Sequence, residues 1–159
     1  MRAYFFNNYY VAGIRAGIQA GHAIDQLWLQ YTTALIEGTL TPDARRRLEV
    51  LRDFSANHKT FILLHAGDHQ ELTDLAALFA STENPYPWAS FAEPGLNDAI
   101  TSIVIIIPER LYDDQAAAVA RSLASVTPSN EIDRIVAERA YSRWELEFLK
   151  RRVGYSRAS

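Results

Sequence analysis

The chain has 159 residues, 48% of them hydrophobic and 11% aromatic, which is matter for one ordinary hydrophobic core and not for two independent domains. Charged residues make up 22% and sum to a net charge of −3, which excludes both the disordered class and a nucleic-acid binder that works by bulk basicity. There is no cysteine, so disulfide scaffolds, thiol catalysis and the common structural zinc sites fall away, and a cytoplasmic location is expected.

Asn7 and Asn8 interrupt the N-terminus before an apolar signal-peptide run develops. The longest apolar run, Ile103 to Pro108, is too short to cross a bilayer, so no membrane partner is expected. Ala3 to Phe6 reads as a short first strand leaving into a loop. A long helix follows from Gly13 to Leu35, stopped at Glu37-Gly38, and its low charge content predicts cover on most of its circumference. Thr41-Pro42 starts a second helix that runs to about Asn57, with Leu48, Leu51 and Phe54 inward.

Thr60 to His65 reads as a buried strand, and Asp68 with Glu71 forms a capping box for a helix carrying Leu72, Leu75, Ala76 and Phe79. A short aromatic segment, Trp88 to Phe91, leads to a loop holding Pro94 and Gly95. Ser102 to Ile107 is apolar without alternation, as in a central strand covered on both faces. Leu111 to Val126 returns to helix, and Glu131 to Ser159 reads as an added helix with a basic end at Lys150-Arg151-Arg152. This order predicts an α/β fold of three layers, with a mixed, mostly parallel sheet of about four strands and an added C-terminal helix. The expected division is an α/β domain over 1–126 and a helical extension over 127–159.

At 100° per residue, Arg15, Gln19, His22 and Gln26 fall within about 60° of one another on the first helix. The solvated side of a core helix would account for such a line. A cation, two amides and an imidazole are also groups that hydrogen-bond a ligand in fixed directions, where a plain solvent face intersperses Glu and Lys. Gly13, Gly17 and Gly21 recur every fourth residue, which predicts close approach of another backbone. Ahead of the apolar strand, Glu93 and Thr101 bring a carboxylate and a hydroxyl together around a tight loop, either as a solvated turn or as a pair that orients a water.

The string Arg15-Ala-Gly-Ile-Gln19-Ala-Gly-His22-Ala23 after a short strand resembles the motif of type 2 peptidyl-tRNA hydrolases, which runs Lys, three small or apolar residues, Gln, two residues, His, Ala. Glu93-Pro-Gly-Leu-Asn97 with Thr101 is similar to phage and bacterial relatives of that family, and the likeness spans about residues 3 to 125. The resemblance implies Arg15, Gln19, His22, Glu93 and Thr101 as catalytic residues of an esterase acting at the 3′ adenosine of tRNA, with no cofactor and no metal. Two positions depart from it. Arg15 stands where the family has Lys, so a neutral amine is lost while anion binding survives. Glu93 stands where an Asp is usual, which moves the carboxylate about one methylene outward.

Gln26, Trp88, Asn97, Arg45 and Arg46 are the expected ligand-binding residues around this groove, the arginines through phosphates. Two other functions fit the same residues: a non-enzymatic binder that sequesters a nucleotide-like signal, and an interaction module built on an inactive copy of the fold. In the C-terminal segment Ile132, Ile135, Val136, Trp144, Phe148 and Leu149 share no single face, which predicts a homodimer through that helix.

Overall fold

The computed structural model describes residues 1–124 and 139–157. Two compact units divide the chain: Met1–Ile107 with Ser156–Ser159, and Pro108–Tyr155. The expected boundary at 126 lies outside the described residues.

The first unit contains β1 (Arg2–Asn7), α1 (Ile14–Ile36), α2 (Pro42–Asp53), β2 (Phe61–His65), α3 (His69–Ala80), β3 (Trp88–Glu93), β4 (Ala99–Ile107) and, from the chain end, β5 (Ser156–Arg157). The sheet order is β3-β4-β1-β2-β5. It is mixed, as expected, but not mostly parallel. Only β1 and β2 run parallel, and the β1–β4, β3–β4 and β2–β5 pairings are antiparallel. Parallel pairing needs a long crossover, which α1 and α2 supply between β1 and β2, whereas residues 94–98 leave room only for an antiparallel return. The unbroken apolar run of β4 reflects burial of both faces, which strand direction does not alter: Ile103 to Ile107 are all fully buried. The segment read as merely aromatic, Trp88 to Phe91, is the body of edge strand β3.

Ala16, Ala20, Ala23, Leu27 and Tyr31 make the buried stripe of α1, the last four packed in one core with Ala3, Phe5, Val104 and Ile106. The helix is not covered on most of its circumference. Ile14 is 84% and Ile36 86% exposed, and Ile18 and Leu29 also face out, so low charge content marked an exposed apolar side. Gly13, at φ 58°, supplies the left-handed residue that turns the chain into α1. Gly17 and Gly21 have nothing within 4 Å of where a Cβ would stand, so the close backbone approach expected at them is absent among the described residues. Gly17→Ala and Gly21→Ala are therefore expected to raise stability by about 0.5–1 kcal/mol each, read as a higher urea midpoint with unchanged slope.

Tyr31 is buried at the α1 interface. Burial pushes its phenol above the usual tyrosine range, with the Arg47 charge opposing. A raised folded-state pKa means the unfolded chain releases this proton first. Its contribution is full below about pH 10 and falls as pH rises above that. Tyr31→Phe is expected to flatten that alkaline loss, measured as the melting temperature from pH 8 to 11.

The remaining starts follow the capping residues. Thr41 accepts from the Ala44 N–H at 3.2 Å with Pro42 next to it, and α2 runs on into a π-turn over Phe54–His58. Asp68 and Glu71 close the capping box of α3, whose Phe79 meets Phe6 edge to face.

The second unit holds a 3-10 turn (Glu109–Leu111), α4 (Asp114–Ala124) and α5 (Arg143–Arg152). The expected end of α4 at Val126 and the start of the added helix at Glu131 lie outside the described residues. Within them α5 is short, because Ser142 and Glu145 form a capping box at its start, and the chain then leaves helix before Gly154. Glu145 is buried and ion-paired with Arg110. Trp144, Phe148 and Leu149 are buried within the chain.

Candidate functional site

The β3–β4 hairpin is irregular where the site forms. Phe91 pairs with Ser102 and Ala92 with Ile100, which leaves Thr101 as the extra residue of a β-bulge. The turn that follows β3 is a 3-10 helix over Pro94–Leu96, then Asn97 and Asp98 at φ 55° and 56°, a conformation these two side chains tolerate better than most. The bulge aims the Thr101 hydroxyl at α1.

Thr101 Oγ1 donates to Gln19 Oε1 at 2.6 Å, and Gln19 Nε2 donates to Glu93 Oε2 at 3.2 Å. One amide on α1 thus joins an alcohol on β4 to a carboxylate at the end of β3. Thr101 is fully buried, while Gln19 and Glu93 are half-buried. Three residues after Gln19, the exposed His22 ring stacks on Phe91 with centroids 4.7 Å apart and planes 27° apart, which ties the imidazole to the same hairpin. Arg15 lies one turn before Gln19, exposed and without a hydrogen bond or ion pair among the described residues. Gln26 is exposed one turn beyond His22.

The direction of these bonds assigns chemistry. The Thr101 hydroxyl hydrogen has two acceptors, Gln19 Oε1 at 2.6 Å and Phe91 O at 3.4 Å, neither of them a base, so this buried hydroxyl is not an activated nucleophile. Gln19 is a positioning residue, engaged at both ends. Glu93 Oε2 accepts from Gln19, and no hydrogen bond reaches its Oε1 among the described residues.

The other expected ligand residues are not gathered here. Trp88 packs edge to face on Phe79 of α3. Asn97 sits exposed in the hairpin turn. Arg45 and Arg46 are exposed on α2, where Arg46 pairs with Asp43. No group of three or more His, Asp or Glu side chains among the described residues could hold a metal ion.

Sequence reasoning missed an open cleft of about 410 Å³ lined by Asn8, Tyr10, Val11, Asp68, His69, Gln70, Leu96, Ala99 and Thr101. Thr101 borders it and the Gln19 junction alike. Asn8 follows β1, and Asp68 and His69 follow β2, so the cleft lies beyond the carboxyl ends of the two parallel strands, where α/β sheets commonly bind ligands. Polar residues after each strand, Asn8 after β1 and Asp68-His69 after β2, were the available signal.

The chain matches no protein-family model and no curated protein. No helix among the described residues is long and apolar enough to cross a membrane.

Proposed function

We propose that the chain is a cytoplasmic esterase of the peptidyl-tRNA hydrolase kind, hydrolysing the acyl ester at the 3′ adenosine of tRNA. The observation that carries this reading is the Thr101–Gln19–Glu93 hydrogen-bond chain: it joins three of the five residues the resemblance implies, although they come from elements far apart in sequence. His22, stacked on Phe91, adds a fourth. A three-layer arrangement, with α1 and α2 over the Phe5 face of the sheet and α3 over the Phe6 face, suits this site, since it leaves the strand ends open.

Glu93 Oε1 takes a proton from water as the water oxygen bonds to the ester carbonyl carbon. The carbon–O3′ bond then breaks, and the same carboxyl returns the proton to the departing ribose oxygen. Arg15 and His22 face the negative charge that develops on the carbonyl oxygen, and the guanidinium supplies charge without exchanging a proton. Thr101 and Gln19 hold Glu93 in place.

A second reading, sequestration of a nucleotide-like ligand without turnover, is favoured by one specific observation: Arg15 is a permanent cation, exposed and unpaired among the described residues. Neither reading requires a homodimer through the C-terminal helix, whose Trp144, Phe148 and Leu149 are already buried within the chain. The test is incubation with N-acetylated aminoacyl-tRNA, following release of the acyl amino acid. An ester lifetime shortened by the protein supports the esterase. An unchanged lifetime, with nucleotides raising the melting temperature, establishes the binder.

A further inference from the structure

The polar groups lining the cleft beside Thr101 are not equally available. Asn8 is engaged locally at both ends: its Nδ2 donates to the Ile100 carbonyl at 3.5 Å and its Oδ1 accepts from the Tyr10 N–H at 3.1 Å, which pins the loop after β1 against β4. Gln70 donates to Asp74. Two groups remain. His69 Nδ1 accepts from the Ile100 N–H at 3.2 Å, so the hydrogen of the neutral ring sits on Nε2 and is free to donate. Asp68 accepts from the Glu71 N–H through Oδ1, at 3.0 Å, and its Oδ2 is left as an acceptor.

The cleft therefore offers a hydrogen-bond donor and an acceptor on adjacent residues, between apolar side chains of Val11, Leu96 and Ala99. Tyr10 stands at its rim, 76% exposed but held with its ring 4.0 Å from that of Tyr9, a pre-ordered aromatic wall. Flat, largely apolar walls with one fixed donor and one acceptor suit a planar heteroaromatic ring. The pair also selects among such rings. An amino-substituted base presents a ring-nitrogen acceptor beside an exocyclic amine donor, which complements His69 and Asp68. A base with a ring N–H beside a carbonyl presents the reverse pattern.

We infer that this cleft is a base-binding pocket for an amino-substituted heteroaromatic ring such as adenine or cytosine, His69 Nε2 donating to the ring nitrogen and Asp68 Oδ2 accepting from the exocyclic amine. The pocket goes beyond the hydrolytic reading and does not depend on turnover, because neither residue belongs to the Thr101–Gln19–Glu93 chain. It is a selectivity device, and it serves an esterase or a sequestering protein equally.

The experiment is calorimetric titration of the full chain with AMP, CMP, IMP and UMP, alongside His69→Ala and Asp68→Asn variants shown to be folded by circular dichroism. Asn caps a helix as Asp does, so Asp68→Asn keeps α3 while replacing the free acceptor with a donor. AMP and CMP are expected to bind about tenfold tighter than IMP and UMP, and both variants to abolish that preference. Equal affinity for the four nucleotides, no saturable binding of any of them, or an undiminished preference in either folded variant would overturn the assignment. Selective AMP binding by a wild-type chain that leaves acyl-tRNA intact would overturn only the esterase reading.

Discussion

The Glu93→Gln variant is expected to hydrolyse acyl-tRNA about 100- to 10,000-fold more slowly than the parent chain, with KM little changed. Gln is nearly isosteric with Glu, and an amide oxygen at position 93 still accepts the Gln19 Nε2–H that reaches Glu93 at 3.2 Å. The hairpin and the ligand groove are thus retained, and only the proton acceptor is removed. A variant lost to misfolding would show a lowered melting temperature; this one is expected to melt within a few degrees of the parent. Single-turnover release of the acyl amino acid is the measurement. Equal release by both chains would remove Glu93 from the chemistry.

Phe5→Ala is expected to cost about 3–5 kcal/mol, a large part of the roughly 5–15 kcal/mol that holds a domain folded. Phe5 is fully buried in the middle of β1, opposite Val104 on one side and Leu63 on the other, under Ala23 and Leu27 of α1. Its ring lies 4.7 Å from that of Phe61. Both flanking strands are paired to β1, so the backbone has little freedom to close the cavity. Phe61, at 45% exposure, offers the internal control: Phe61→Ala removes the same number of atoms but is expected to cost less than half as much. Urea unfolding of the three proteins checks this, and comparable losses for both phenylalanines would contradict the burial pattern.

What could be read from sequence divides along a physical line. Signals that act within a few residues were legible: Thr41-Pro42 and the Asp68–Glu71 box both start helices where expected, and Gly38 follows the end of α1. The Arg15, Gln19, His22 and Gln26 line was legible because helical spacing is fixed by geometry. Pairings between distant segments were not. The bulge that turns Thr101 onto Gln19 exists only once β3 and β4 are in register, and no residue type announces it.

The same holds for strand direction, for the exposed apolar side of α1, and for Glu145, a buried carboxylate whose partner Arg110 is remote in sequence. Fully buried Asn7, opposite Ser102 on β4 and His65 on β2, likewise forms a polar row across three strands that becomes visible only with the register. The cleft beside Thr101 went unread for a related reason. It is built from the two loops that follow parallel strands together with the β3–β4 hairpin, and the pairing of those strands had to be known first.

The most direct test of a single site shared by α1 and the hairpin is a double-mutant cycle of Gln19→Ala and Thr101→Val, read on acyl-tRNA turnover. If the two side chains act as one unit holding Glu93, each change alone removes most of the rate and the double variant is little worse than either. Losses that simply multiply, or a parent chain with no turnover to lose, would contradict it.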